Sequence, residues 1–259
     1  MKTTLYYFSA TANNLAVARD LAKELHEPVE IVPITKLINE KLIENDSDNI
    51  GIIFPVYLRD IPKIVEEFAN RLVVKKDTYI FAVCTYHKDP YNALFNLESV
   101  LEQHNVSLSS GFCVNMPGTS VLVLDFTSTD EENQVRFAEE KEKIKEIATA
   151  VKDRRTCIEG TYNKDEKYES RNYLRNVYKV VDQFWVESNC NLCGICTKVC
   201  PRGTVKIIDE KVVWDGICEN CQACLHWCPM KAIQNGSNSA KCRRYHHPDI
   251  EVSEIIESR

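Results

Sequence analysis

Eight of the twelve cysteines in this chain form two copies of one spacing pattern near the C-terminus. The first copy is Cys190, Cys193, Cys196 and Cys200, followed by Pro201, and the second is Cys218, Cys221, Cys224 and Cys228, followed by Pro229. Each copy reads C-x₂-C-x₂-C-x₃-C-P, a spacing with which cysteine thiolates hold [4Fe–4S] clusters. Two copies therefore predict two such clusters, which transfer single electrons.

The same spacing predicts how the ligands are shared. The first three cysteines of a copy surround one cluster, and the fourth, which precedes proline, ligates the other cluster. The first predicted ligand set is Cys190, Cys193, Cys196 and Cys228, and the second is Cys218, Cys221, Cys224 and Cys200. Between the two copies, the apolar runs 205–208 and 212–214 flank Asp209-Glu210, which predicts a short hairpin.

Two other uses of cysteine fit this pattern less well. A zinc ribbon needs four ligands from two C-x₂-C pairs, whereas each copy here already contains four cysteines closed by proline. A disulfide framework is disfavoured because the cysteines are concentrated in one segment of a chain that begins without an apolar secretory signal.

The N-terminal part alternates between strand-like and helix-like patterns. Continuous apolar runs that alternate with amphipathic helices indicate a parallel sheet covered on both faces. Five strands predict an α/β fold with the flavodoxin-like, doubly wound order, followed by a small α+β ferredoxin-type domain. The predicted strands are 3–8, 29–34, 49–56, 78–85 and 111–116, and the predicted helices are 14–25, 61–72, 91–103 and 130–154.

We divide the chain into four parts on this basis. Residues 1–155 form the flavodoxin-like domain, and residues 156–187 form a linker with a docking helix over 170–184. Residues 188–238 form the two-cluster domain, and residues 239–259 form a tail with a short helix over 252–256.

The first turn between a strand and a helix is a candidate phosphate site. It reads Ser9-Ala10-Thr11-Ala12-Asn13-Asn14, and it places N–H groups and small polar side chains at the start of a helix, where phosphate binds. Ligands of such sheets lie at the carboxyl ends of the strands. The alternative is that Thr11 or Asn13 only caps the helix.

Two further loops follow strands at the same edge of the sheet. Pro55, Val56 and Tyr57 belong to the loop after the third strand, and Thr85 and Tyr86 belong to the loop after the fourth. The two tyrosines are candidate walls for a planar ring, or else ordinary aromatic residues at the edge of the sheet.

The order of these parts resembles the flavodoxin–ferredoxin fusion family of anaerobic bacteria. The residues that carry the resemblance are the phosphate loop, Pro55-Val56-Tyr57, Asn115-Met116-Pro117, the two Cys-Pro runs and Tyr245-His246-His247-Pro248. The resemblance implies FMN (flavin mononucleotide) in the first domain, with its phosphate on Ser9, Thr11, Asn13 and Asn14, and cytoplasmic electron transfer. The loop departs from the flavodoxin pattern at Ala12, where that family has glycine, and at Asn14, where it has threonine.

Three functions remain open at this point. The first is electron transfer between FMN and two [4Fe–4S] clusters. The second is a ferredoxin whose flavodoxin-like domain has lost FMN and serves for docking. The third is an iron–sulfur flavoenzyme that reduces a small quinone or nitro compound, with His87 and Lys88 as candidate proton donors.

Charge and hydropathy limit the partners. The net charge is −6, and because residues 187–259 are balanced, the excess acidity lies in the N-terminal part. This acidity either keeps the protein in solution or steers it toward a basic redox partner. We expect no nucleic-acid or membrane partner, because the chain has no basic stripe and no apolar run of about 18 residues. His226, between two predicted ligands, either lies at the surface or influences a cluster potential.

Overall fold

The computed structural model describes residues 1–121, 125–165 and 180–259. Its strands are β1 (Thr3–Tyr7), β2 (Val29–Pro33), β3 (Ile43–Asn45), β4 (Asn49–Pro55), β5 (Leu72–Val74), β6 (Tyr79–Tyr86), β7 (Ser110–Asn115), β8 (Cys157–Ile158), β9 (Phe184–Val186), β10 (Val205–Ile208), β11 (Lys211–Trp214) and β12 (Ile233–Asn235). Its helices are α1 (Asn13–Leu25), α2 (Lys63–Ala69), α3 (Ala93–Glu102), α4 (Asp130–Lys152), α5 (Ile195–Lys198), α6 (Ala223–His226) and α7 (Val252–Glu257). Short 3₁₀ helices occupy Ile34–Leu37, Val180–Gln183 and Ser239–Lys241.

The main sheet is parallel, with the strand order β2-β1-β4-β6-β7-β8. Its first five strands are the five predicted ones, in the order 2-1-3-4-5 of the flavodoxin-like fold. The prediction of the fold is therefore confirmed, and the two-residue β8 is an addition. Strands β3 and β5, which the sequence analysis missed, form a separate parallel pair.

Both faces of the sheet are buried, as the continuous apolar strands predict. On one face, Tyr7 and Ile53 pack with side chains of α1 and α4 such as Leu15 and Ile144. On the other face, Phe54 and its neighbours pack against α2 and α3. Successive residues of a strand alternate between the two faces, so β4 needs an apolar residue at almost every position.

The register of the sheet sets the loops side by side at its carboxyl edge. Pro55 pairs with Thr85, and Tyr86 pairs with Asn115. The Val56 N–H donates to the Thr85 carbonyl at 2.9 Å. The loops that follow β1, β4, β6 and β7 therefore meet in one region.

The C-terminal domain contains the predicted hairpin. Strands β10 and β11 pair antiparallel, and Asp209 and Glu210 form the turn at φ values of 48° and 59°. Two consecutive left-handed residues give a two-residue hairpin whose twist suits the strands. Strand β9 pairs with β12, so residues 184–186 belong to this domain rather than to the linker.

The linker and the tail also differ from the predicted boundaries. Residues 157 and 158 join the main sheet, so the flavodoxin-like domain extends beyond residue 155. Most of the predicted docking helix lies outside the described residues, and its described end is a 3₁₀ helix followed by β9. The tail ends in α7, as predicted, but it folds back onto the first domain, where Arg19 pairs with Glu254. None of the helices in the described ranges is long and apolar enough to span a bilayer.

The carboxyl group of Glu140 is buried between α4 and α1. Its Oε1 has no hydrogen-bond partner among the described residues. The pKa of Glu140 is raised to about 7, chiefly by burial and also by Asp20, while Lys141 and Lys23 oppose the shift. The folded protein therefore retains a proton that the unfolded chain releases above its ordinary pKa of 4.5.

We predict that the free energy of unfolding falls as the pH rises from about 4.5 to about 7, by about 3 kcal/mol from this group. Glu140→Gln should remove that part of the pH dependence and stabilise the protein at pH 8. Urea unfolding across this pH range measures the effect, with the exposed neighbour Glu139→Gln as the control. An unchanged pH slope in Glu140→Gln would show that Glu140 is ionised in the folded protein.

Candidate functional site

A cavity of about 270 Å³ opens at the carboxyl edge of the sheet. Its volume is near the lower end of the range for small-molecule sites, roughly 300 to 1,000 Å³. The sequence-predicted residues that line it are Ser9, Ala10, Thr11, Asn13, Asn14, Pro55, Val56, Tyr57, Thr85 and Tyr86. Ala12 is fully buried and does not line the cavity. The structure thus brings the three predicted loops together around one space.

Ala12 has a strained backbone. Its φ is 76° and it is the N-cap of α1, where it offers no side-chain hydrogen bond. A residue with a Cβ pays about 1–2 kcal/mol in this left-handed region, which glycine tolerates. The alternative that Thr11 or Asn13 caps α1 is wrong, because the helix begins at Asn13 and is capped by Ala12. In the first turn of α1, the Asn14 N–H donates to Ser9 Oγ at 3.2 Å, so a ligand could use only the other N–H groups that have no partner within the helix.

The amide side chains of Asn13 and Asn14 have protein partners instead of facing a ligand freely. Asn13 donates to the Pro117 carbonyl at 3.1 Å and accepts from the Tyr245 hydroxyl at 2.6 Å. Asn14 donates to the Phe8 carbonyl at 2.8 Å and accepts from the Thr85 hydroxyl at 2.7 Å. Their side chains stiffen the loop, so any phosphate at this loop depends on backbone N–H groups, Ser9 and Thr11. That the loop binds phosphate stays a prediction.

The C-terminal part of the chain covers the outside of the phosphate loop, residues 9–14. The Trp227 indole donates to the Ala10 carbonyl at 2.8 Å, and the His247 N–H donates to the Thr11 carbonyl at 2.9 Å. The guanidinium of Arg259 donates to the Ser9 carbonyl at 3.1 Å and to the Val199 carbonyl at 3.0 Å. These contacts fix three backbone carbonyls of the phosphate loop.

The two aromatic candidates lie on different loops of the cavity. Tyr57 packs edge-on against Phe8, with ring centroids 6.0 Å apart. It precedes a tight turn in which Leu58 and Arg59 have φ values of 52° and 70°, closed by two hydrogen bonds between Tyr57 and Asp60. Two consecutive left-handed residues form a two-residue turn of the same kind as the one at Asp209-Glu210.

His87 and Lys88 line the cavity as well. Burial lowers the pKa of His87, so its imidazole is neutral at pH 7. Its Nδ1 is buried and has no hydrogen-bond partner within the described residues. Lys88 lies over the Phe126 ring, 4.6 Å from its centroid.

The sequence analysis missed one wall of the cavity entirely. Glu219, Asn220, Cys221 and Gln222, from the second cysteine run, line the same space as the phosphate loop. We call residues 219–222 the cluster-side loop. No sequence signal marks a contact between positions so far apart in the chain.

Glu219 fixes the cluster-side loop to the first domain. Its side chain is fully buried and accepts from Arg202 at 2.8 Å, and Arg202 also donates to Glu67 of α2 at 2.6 Å. The other carboxylate oxygen accepts the Ile64 N–H at 3.1 Å, in the first turn of α2. A negative group there is favoured by the helix dipole. Burial raises the pKa of Glu219, and the neighbouring Arg202 opposes that shift.

The first predicted ligand set gathers around a second, smaller cavity. Cys190, Cys193, Cys196 and Cys228 line it, together with apolar residues that include Val212 and Ile233. Burial raises the pKa of Cys196 to about 11, and the nearby Cys228, Cys193 and Cys190 add to the shift. The Ala232 N–H donates to the Cys228 sulfur at 3.3 Å.

The second set is more deeply buried. Burial raises the pKa of Cys224 well above its usual range, and Cys221, Cys200 and Cys218 raise it further because they are close by. The Asn220 N–H donates to the Cys218 sulfur at 3.3 Å. Cys200 therefore lies close to the second run, and Cys228 lies close to the first.

Four thiols around a buried space fit a [4Fe–4S] cluster, which takes four thiolate ligands. Among the described residues, no group of three or more His, Cys, Asp and Glu side chains is arranged to hold a single metal ion. Ligation by the individual cysteines stays a prediction.

His226 is buried rather than at the surface, which corrects one of the two interpretations. It is 3% exposed, and its Nε2 lies 2.7 Å from the Thr119 carbonyl. Its Nδ1 accepts the Tyr245 N–H at 3.2 Å, so the ring is neutral with the proton on Nε2. Burial lowers the pKa of His226 to about 4. The residue links the second cysteine run to both the tail and the first domain.

Comparison with known proteins supports the C-terminal assignment. A family model described as "4Fe-4S binding domain" matches residues 184–206, which include the first cysteine run. This match supports [4Fe–4S] binding by the C-terminal region. None of the curated proteins searched matches the chain.

Solved structures of low sequence identity resemble a little more than half of the chain. One is a protein of Bacteroides uniformis described as a flavoprotein, with 17% identity over 57% of this chain and 97% of that chain, and a TM-score of 0.40. A flavodoxin of Streptococcus pneumoniae has 12% identity over 57% and 96%, with a TM-score of 0.38. An azoreductase of Bacillus anthracis has 11% identity over 57% and 99%, with a TM-score of 0.38. The fold assignment rests on the strand order of this chain itself.

We predict that Ala12→Gly raises the free energy of unfolding by about 0.5–1 kcal/mol, because glycine relieves the left-handed strain at φ 76°. The matched control is Ala16→Gly in the interior of α1, which should lower it by about 1 kcal/mol. Urea unfolding under nitrogen compares the two variants. If both substitutions destabilise the protein equally, Ala12 is not strained.

Proposed function

We propose that this chain transfers single electrons between an FMN in the large cavity and two [4Fe–4S] clusters. One observation carries the proposal: the cavity formed by the predicted phosphate and ring loops is also lined by the predicted cluster ligand Cys221. A ligand that fills this cavity would lie against the second cluster site, without a protein layer between them.

The residues present fit FMN in chemical terms. Ser9, Thr11 and the first N–H groups of α1 would hold its phosphate, and Tyr57 and Tyr86 would flank its ring. FMN would supply the conversion between a two-electron donor and one-electron carriers, since each cluster carries one electron at a time. The surrounding protein excludes water and sets the potentials through hydrogen bonds and burial.

The order of the centres follows from the same contacts. The site of Cys200, Cys218, Cys221 and Cys224 lies nearest the cavity, and Cys196 of the first set is close to Cys224. In the first set Cys193 is exposed, and the exposed Leu192 and Met230 are its neighbours. Electrons would therefore pass from FMN to the second set, then to the first set, and leave there to a redox partner. The acidic first domain favours a basic partner.

A second candidate has its own support. The strain at Ala12 and the engaged side chains of Asn13 and Asn14 are also expected of a flavodoxin-like domain that has lost FMN and only docks the ferredoxin. His87 and Asn220 line the cavity and have buried polar atoms without a hydrogen-bond partner among the described residues. They favour the first proposal, because a bound ligand would supply the hydrogen bonds that these atoms lack.

Cofactor analysis separates the two candidates. Protein purified without oxygen should contain about eight irons and one FMN per chain, or take up FMN when it is added. FMN should bind more tightly than riboflavin, because the phosphate loop contributes only to FMN. Eight irons with no uptake of FMN would refute the first candidate and support the docking module.

Single cysteine variants test the ligand sets. We predict that Cys193→Ala loses about half of the iron, because it removes a ligand of one cluster of two. The control is Cys157→Ala, because Cys157 is exposed and belongs to neither set. This variant should keep all of the iron. Iron and sulfide assays on both variants give the answer. Full iron in Cys193→Ala would exclude this residue as a ligand.

A further inference from the structure

The ferredoxin domain contributes to the large cavity one polar residue, Asn220, whose side chain has no hydrogen-bond partner among the described residues. Asn220 lies between Cys218 and Cys221, lines the cavity and is 9% exposed. Both atoms of its side-chain amide are buried without a hydrogen-bond partner in the described part of the chain. An unsatisfied buried amide costs about 1–3 kcal/mol per group, so its presence needs an explanation.

The other polar side chains of the cluster-side loop are already engaged. Glu219 holds Arg202 and the start of α2, and the Gln222 Oε1 accepts the Val121 N–H at 3.1 Å. These two residues fix the loop, and Asn220 is presented between them. Its φ of 50° is a left-handed conformation that asparagine tolerates better than most residues.

The first domain contributes a similar unpartnered group to the cavity. His87, from the loop after β6, also lines the cavity and has a buried, unpartnered Nδ1. Each domain thus contributes an unsatisfied polar side chain to the same cavity. A ligand bound there could form a hydrogen bond with each of them.

We propose that Asn220 hydrogen-bonds the bound flavin, so that the ferredoxin domain completes the flavin site. This inference rests on the proposed function, because it needs a flavin in the cavity. A side-chain amide offers both a donor and an acceptor, as do the polar groups of a flavin. Asn220 is a positioning and specificity residue, and it holds the flavin beside the cluster ligand Cys221.

The test is Asn220→Gly in the full chain with its clusters in place. Glycine removes the amide, accepts the left-handed φ and keeps the N–H that donates to Cys218. FMN affinity should fall about tenfold, and the midpoint potential of the bound flavin should shift. The matched control is Asn105→Gly, the same change at an exposed residue with φ 59°, which should alter neither quantity.

The outcomes separate this inference from the proposed function. If the wild-type protein takes up no FMN, the proposed function fails and the inference fails with it. If the wild type binds FMN and iron-loaded Asn220→Gly binds it equally, the inference alone is overturned. Should Asn220→Gly lose iron, Asn220→Asp decides, because it keeps the side-chain size, loses the donor and adds a charge. Asn220→Asp should weaken FMN binding at least tenfold, and an affinity equal to that of the wild type would overturn the inference.

Discussion

The arrangement of this protein depends on one buried carboxylate. Glu219 binds Arg202 of its own domain, and through Arg202 it reaches Glu67, while its second oxygen caps the first turn of α2. Removing one partner of a buried pair leaves an uncompensated charge, which costs about 3–5 kcal/mol. Because Glu219 lies between Cys218 and Asn220, the interaction that docks the two domains also sets the position of the second cysteine run against the cavity.

The tail reinforces this docking from the other side. Tyr245, His247 and Arg259 bind the phosphate loop, and Trp227, one residue before Cys228, donates to the Ala10 carbonyl. The His246 ring stacks on Trp227 with centroids 4.1 Å apart. The phosphate loop is therefore a shared element, shaped by side chains of the ferredoxin domain and the tail. A substitution in the ferredoxin domain or in the tail would therefore alter the shape of the cavity.

Local patterns explain which features the sequence could predict. The strand order follows from continuous apolar runs that alternate with helices, and the hairpin from Asp209-Glu210 between two apolar runs. The cavity loops follow from their positions at strand ends. The cluster-side wall could not be predicted, because it depends on how two domains pack, and neither Glu219 nor Asn220 has a distinctive local pattern. Likewise, the sequence predicts that Asn13 and Asn14 bind a ligand. Only the structure shows that their amides are hydrogen-bonded to Pro117, Tyr245 and Thr85.

In the proposed function, flavin and clusters exchange electrons within one molecule. The most direct test is laser-flash reduction of the flavin-loaded protein under nitrogen, with flavin and cluster absorbance followed separately. The account predicts that electrons equilibrate between the two in a first-order step whose rate does not depend on protein concentration. A rate proportional to protein concentration, or no equilibration at all, would contradict it.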